Sequence, residues 1–455
     1  MSLFYEFKTL SKFALPLTLS YLINSAASLI TMYYIARLGA DALASGAIIT
    51  STYGLITMMI TSILFAVSIQ VCRAYATNEH GQIASIFYSA IAIVTLIALP
   101  LTFILWNFTD VLYLLKQPKP ISLLAGHYFR GIAFGFLPSL ISAVYIQLFM
   151  GMRLSRIILT FTTVSVFICG LLSYLCIFGY GHFRGMGMFG AGLANSMTAW
   201  INLAFIISYT IYSSKFSAFK LYDINSICFN SIASLLKLGL PISVQYSTEL
   251  AAFALITYLI GIVGKEALAA QQIAMQCAIP VIMFVMAVSQ SGSILVSQAL
   301  AKNQRAPIAD ISNASLLLGF IPMMIIAVIY LFFPKSLIGI YLNIHDAANL
   351  NTIHLAKTIL FIAAFTQLFD SGRNIAAGLL RGLGDATTSM WTGLLSCWVI
   401  GIPAALCFGF ILSLGAPGIR IGMLFGILVG CIHLISTLYA RRMTNQLLAI
   451  ETEAE

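Results

Sequence analysis

Twelve apolar runs divide this chain of 455 residues, each long enough to cross about 30 Å of hydrocarbon. Their approximate limits are 12–36, 45–72, 84–108, 124–148, 156–179, 187–212, 235–262, 267–297, 312–333, 356–380, 387–413 and 417–439. Lipid offers no partner to an open backbone N–H or C=O, so such runs must close their hydrogen bonds within themselves, as helices. Several exceed the ~20 residues a crossing needs, so tilt or projection beyond the bilayer is expected. The composition agrees: 60% of residues are hydrophobic and 8% charged, where a soluble domain carries roughly 25% charged residues. The expected fold class is an all-α integral membrane protein with twelve transmembrane helices.

The formal charge of +9 does not mark a nucleic-acid binder, because the 23 Lys and Arg are scattered singly with no basic face. The eight cysteines show no C-x-x-C and no metal spacing, and the six histidines are dispersed. The amino terminus runs straight into the first span without a small-residue cleavage pattern, so no signal peptide is expected. An even number of spans puts both termini on one side. That side holds 13 Lys and Arg, Arg381 among them; the other loops hold eight, Arg420 among them; Arg130 and Arg373 fall inside spans. The positive-inside rule therefore places both termini in the cytoplasm of a multi-pass cell (inner) membrane protein.

The chain repeats itself. "LSKFALPLTLSYL" returns as "LLKLGLPISVQYS", "LGADALAS" as "VGKEALAA", and "SIQVCRAYATN" as "SILVSQALAKN", all at an offset of 225 residues. Lys12, Pro16, Tyr21, Gly39, Ala42, Leu43, Ser68 and Asn78 fall on Lys237, Pro241, Tyr246, Gly264, Ala267, Leu268, Ser293 and Asn303. Six spans per repeat make the two halves parallel, related by an axis along the membrane normal in a pseudo-twofold pair of six-helix bundles. The expected organisation is an amino-terminal lobe over 1–211, a cytoplasmic linker over 212–234, a carboxy-terminal lobe over 235–445 and a cytoplasmic tail over 446–455. Two such bundles across a cleft suit alternating access.

At these residues the chain resembles the multidrug and toxic compound extrusion (MATE) family. The resemblance rests on "ALPLTLSYL" leading to "ARLGADALAS", on its echo "GLPISVQYSTEL … VGKEALAAQQIA", on "FDSGRNIAAGLLRGLGD" at 369–385, and on "FGAGLANSMTAW" at 189. The contexts of Glu249 and Asp370 look most like the NorM branch. Membership would imply a V-shaped pair of lobes. It would also imply export of organic, often cationic compounds, driven by inward Na+ or H+, with no cofactor. The chain departs from many relatives in span one, where Thr31 stands in place of an aspartate. A threonine hydroxyl does not titrate near neutral pH, so an amino-lobe protonation mechanism loses its acid.

Of the 14 acids, most sit at termini, in loops or at span ends; Glu249 in span seven and Asp370 in span ten lie deep. Under the repeat Glu249 corresponds to Asn24, and Asp370 falls near Ser139. An intramembrane carboxylate faces the bundle interior or a watery cavity. Two of them can hold a proton or a hard cation such as Na+, and their mutual repulsion when empty makes occupancy matter. Glu249 and Asp370 are therefore the candidate coupling pair. Arg373 lies three residues after Asp370 on the same helical face; either carboxylate, or a backbone carbonyl or water, would be its partner. Tyr246, Thr366, Asn374 and Gln272 lie within a turn or on a neighbouring span as auxiliary polar groups. Asn24, Gln276, Met275, Met283, Met286, Phe365 and Phe369 are candidate lining for organic cations, since thioether and aromatic surfaces adapt to varied ligands. Kinks are expected at Pro138 and Pro280.

Three rival readings remain. A lipid-linked oligosaccharide flippase of the same superfamily would be expected to show more spans or a basic cavity. A polytopic membrane enzyme would need a catalytic cluster, and none is legible. A receptor or scaffold would not need the repeat. The partners expected for an exporter are small organic cations or drugs and the lipid bilayer, with a two-lobed monomer sufficient.

Overall fold

The computed structural model describes residues 3–114, 116–180, 183–217, 219, 221, 228–304, 306–344, 346 and 349–454. Lys220, residues 222–227 of the expected linker, Arg305 and Glu455 lie outside the described residues. The protein is all-α. Its spans one to six are Leu3–Ala36, Asp41–Ala76, His80–Trp106, Lys119–Gly151, Ser155–Phe178 and Gly187–Tyr212; spans seven to twelve are Phe229–Val263, Lys265–Ala301, Pro307–Phe332, Leu350–Leu383, Ala386–Ile411 and Gly415–Arg442. A two-residue antiparallel hairpin, Gly179–Tyr180 with Phe183–Arg184, joins spans five and six.

The 225-residue repeat is built into the helix ends. Spans two and eight both start after a glycine at positive φ, Gly39 at 119° and Gly264 at 156°. That backbone suits a residue without Cβ. The first turns close identically, Leu43 N–H on Gly39 and Leu268 N–H on Gly264, each at 3.1 Å. Both helices end on a left-handed asparagine, Asn78 at 58° and Asn303 at 53°. Asparagine tolerates that conformation better than most residues. A five-residue-back hydrogen bond follows in each, Glu79 N–H to Ala74 O and Gln304 N–H to Ala299 O, both 2.9 Å.

Spans four and ten end alike at a slightly longer offset. Leu154 N–H reaches Phe149 O at 2.8 Å, and Asp385 N–H reaches Leu380 O at 2.9 Å. These pairs are 231 residues apart, and the left-handed residues between them are Arg153 and Gly384. In each repeat a close approach supports this end: a Cβ on Gly151 would strike the Ser68 carbonyl, and a Cβ on Gly382 the Ser293 carbonyl. The 231-residue register places Asp370 on Ser139 and Arg373 on Ser142.

The chain forms two compact units, one of residues 19–243, the other of 1–18 with 244–455. The two cuts, after Thr18 and after Ser243, are themselves 225 residues apart, each two residues past a span proline, Pro16 or Pro241. In the first of these units, spans four and six pack backbone to backbone. Gly135 leaves no room for a Cβ beside Ser196, whose hydroxyl donates to Gly131 O at 2.7 Å. In the second, spans eight and ten do the same: Gly378 abuts Ser289, whose hydroxyl donates to Asn374 O at 2.7 Å. An apolar core including Ile256, Ala270, Ile359, Cys397, Ile419 and Ile427 ties spans seven, eight, ten, eleven and twelve together. Leu10 and Ala14 of the amino terminus sit in a second core with Val285, Val288, Ile375 and Leu434.

Pro138 and Pro280 each lie inside a single continuous helix. The larger irregularity is in span eleven, where Leu395–Gly401 and Cys407–Ile411 widen to π geometry on either side of Pro403. A proline lacks the N–H that a regular turn would use, and an inserted wide turn absorbs the mismatch. The helix of span twelve continues to Ala454, through the segment expected as a tail.

Candidate functional site

Span seven brings Gln245 and Glu249 onto one face, four residues apart, where such pairs meet. Gln245 Nε2 donates to Glu249 Oε1 at 3.1 Å. Span ten places Asp370 and Arg373 three apart on a facing stripe. The Arg373 guanidinium then bridges both acids. Nη1 donates to Glu249 Oε1 at 2.5 Å and Nη2 to Glu249 Oε2 at 3.0 Å, the two-pronged geometry that a planar guanidinium makes with a carboxylate. Nη2 also donates to Asp370 Oδ1 at 2.7 Å and Nε to the same oxygen at 3.1 Å. Of the alternatives open for Arg373, the carboxylate partners are the ones formed, and both are used.

The triad is deeply buried. The side chains of Arg373 and Glu249 are 1% and 7% exposed, and Asp370 is 17% exposed. Burying ions costs several kcal/mol each unless they are paired and hydrogen-bonded, and four bonds to one guanidinium meet that requirement. Two small residues make the space. A Cβ on Gly393 in span eleven would lie 2.8 Å from Glu249 Oε1, and one on Gly430 in span twelve 3.2 Å from Arg373 Cδ. With both acids ionised the triad carries one net negative charge.

The auxiliary residues divide. Asn374 donates to Asp370 O at 3.1 Å, holding the backbone behind the acid. Thr366 is buried and donates to Ile362 O at 2.9 Å, its own helix's carbonyl. Tyr246 is one turn before Glu249, but its hydroxyl accepts from Arg381 Nη1 at 3.1 Å, with the guanidinium 5.2 Å from its ring centroid. Gln272 and Gln276 are exposed, as are Asn24 and Phe365; Met275, Met283, Met286 and Phe369 are half-buried. Phe365 stacks edge-on against Phe361 at 5.5 Å, and Phe369 packs on the core of spans seven to twelve.

Four buried polar residues of this unit were not singled out from the sequence. Gln245 was legible, being four residues before Glu249. Arg381 counted as a loop charge because the apolar run of span ten stops at 380. It is buried at 3% exposure, with further bonds to Ala377 O at 3.1 Å and Ser289 Oγ at 3.3 Å. Arg420, also counted with loop charges, is buried in span twelve and donates to Gln271 Oε1 at 2.7 Å. Gln271, the neighbour of the expected Gln272, is the buried one. Arg130 is exposed and reaches Trp106 O at 3.4 Å. Taking Arg381 and Arg420 out of the loop count leaves the difference between the two sides unchanged, since one comes from each side.

The family model MatE matches this chain twice, over residues 16–175 and 241–407. The two matches begin on Pro16 and Pro241, at the repeat offset. The chain belongs to the MatE family. It is similar to a Brucella suis protein named "Probable multidrug resistance protein NorM", 28% identical across 95% of this chain and 92% of that one. Its fold matches the eukaryotic MATE transporter AtDTX14 with a TM-score of 0.85, covering 98% and 99% of the two chains at 16% identity. It also matches the Vibrio cholerae MATE transporter VcmN in the bent form with a TM-score of 0.86, at 16% identity and the same coverage. The Brucella protein is named for multidrug resistance and the two solved structures as MATE transporters, none of them as an enzyme, and the protein is a multi-pass membrane protein.

Proposed function

We propose that this protein exports organic, often cationic compounds by alternating access, in exchange for inward flow of Na+ or H+ at Glu249 and Asp370. The observation carrying the proposal is that two spans of a MatE-family chain bring their single deep carboxylates onto one guanidinium, where gain or loss of a positive charge changes the balance of the site. An ion can shift two conformations only if it binds them differently. A three-charge cluster between spans seven and ten supplies such a difference, because its net charge depends on occupancy. The relatives' names, which speak of multidrug resistance, supply the substrate class. In this reading the two repeats act as the lobes, with 212–234 as a cytoplasmic linker, both termini cytoplasmic, and the monomer as the working unit in a cell (inner) membrane. The excess of basic residues on that side supports the orientation.

The test is efflux of ethidium from proteoliposomes under an imposed sodium gradient, and separately under an imposed pH gradient. The expected result is dye movement that depends on at least one gradient. Dye movement equal to that of protein-free vesicles under both would overturn the reading.

A further inference from the structure

We infer that Arg373 is the residue that sets coupling-ion identity: it occupies the oxygens a metal cation would need, restricting the site to a single proton on Asp370 Oδ2. This rests on the proposed role of Glu249 and Asp370 in coupling. The bond pattern carries it. Both oxygens of Glu249 and Oδ1 of Asp370 are taken by guanidinium N–H groups, and Glu249 Oε1 also accepts from Gln245. Asp370 Oδ2 is the carboxylate oxygen of the triad that no guanidinium N–H reaches, and Asp370 is its most exposed member.

A hard cation is held by several oxygens at once, each pointing a lone pair at it. One free carboxylate oxygen does not make such a shell. The bound guanidinium would also sit against the entering ion, a like charge in a medium that screens little. A proton needs one lone pair and no shell. It passes to Oδ2 from a hydronium ion, whose O–H bond breaks to leave water as the new O–H bond forms, and Asp370 becomes a neutral acid beside an intact Arg373–Glu249 pair. The proton is lost again from the same oxygen. Each cycle then moves one charge through the site.

The groups facing Asp370 are compatible with this. Arg373 and Asn374 come from its own helix, Glu249 from span seven, Cys397 from span eleven and Cys431 from span twelve. Arg373 is the one cation in that set.

A second, independent observation shows what Arg373 holds back. Gln245 is 1% exposed, and its Oε1 has no hydrogen-bond partner among the described residues. Buried acceptors are nearly always satisfied, and this one adjoins the triad on the same helix face as Glu249. With the guanidinium gone, Gln245 Oε1 and the two carboxylates together supply the oxygens of a cation shell. Arg373 thus masks a latent sodium site.

Sodium binding to the purified protein in detergent, followed by isothermal titration, tests this separately from transport. The wild-type protein is expected to bind no sodium up to physiological concentration, while R373Q, neutral and of similar reach, gains sodium affinity by about tenfold or more. R373K keeps a positive charge and should remain without sodium binding. In proteoliposomes, wild-type ethidium efflux follows the pH gradient and ignores sodium. Sodium binding by the wild type would overturn the inference while leaving the proposed export intact. So would a folded R373Q that binds no sodium. Absence of gradient-driven efflux with the binding pattern as expected would instead overturn the export reading alone.

Discussion

Arg381 donates to the hydroxyl of Tyr246 at 3.1 Å while its guanidinium stands 5.2 Å from the centre of the same ring. One aromatic residue thus meets a buried cation twice, through its oxygen and through its π face. Its counterpart in the other repeat is Tyr21, where span four offers Met150 at the position of Arg381. Removing the oxygen alone strips one N–H of Arg381 of its acceptor. Tyr246→Phe should destabilise the protein by about 1–3 kcal/mol, the cost of an unsatisfied buried donor. The thermal unfolding midpoint of the purified variant checks this, and an unchanged midpoint would show that water replaces the hydroxyl.

Glu249→Gln and Asp370→Asn preserve shape but each removes one negative charge. Insertion should be normal, since a buried charge has been deleted. Export driven by an ion gradient should fall by about tenfold or more in each, because occupancy no longer distinguishes the two conformations. Asp370→Asn loses the oxygen proposed to accept the coupling proton. Glu249→Gln leaves Asp370 as the sole carboxylate partner of Arg373. Ethidium binding to the purified variants should survive in both. Gradient-driven efflux by the double variant at the wild-type rate refutes the assignment.

Gly393→Ala places a methyl 2.8 Å from Glu249 Oε1, with the carboxylate pinned on its other side by Arg373. Overpacking of this kind costs about 1–3 kcal/mol. A lowered unfolding midpoint together with slower pH-driven efflux is expected. A midpoint equal to that of the wild type would mean that Glu249 moves freely, contrary to its bidentate pairing.

Thr31 is buried at 7% exposure in span one, where it cannot exchange a proton near neutral pH. Thr31→Ala should alter the rate of efflux at most, not which gradient drives it. A switch in gradient dependence, measured side by side with the wild type, would implicate the first repeat in coupling.

The sequence shows the twelve spans because apolar length is a property of composition, and it shows Glu249, Asp370 and Arg373 because a charge within such a run stands out against its neighbours. Arg381 and Arg420 escaped because each lies within a turn or so of a span end. There a hydropathy reading places the water boundary, and only packing decides whether the side chain points inward. Gln271 and Gln272 are adjacent, so their faces differ by about 100° and identity alone does not choose between them. The loose correspondence of Asp370 with Ser139 becomes firm once the ends of spans four and ten are aligned through their hydrogen bonds. It then extends to Arg373 and Ser142. Where one repeat has Glu249, Asp370 and Arg373, the other has Asn24, Ser139 and Ser142, neutral throughout.

The cuts after Thr18 and Ser243 have a consequence for how the protein is made. The unit of residues 19–243 is one uninterrupted stretch, so its last helix-forming residues leave the ribosome with everything else it needs already in the membrane. The other unit depends on residues 1–18, synthesised before that stretch, and on residues 244–455, synthesised after it. Leu10 and Ala14 therefore wait for Val285, Ile375 and Leu434 through the synthesis of more than half the polypeptide. The unit that carries every charge of the triad is the one whose two segments are made on either side of the other unit.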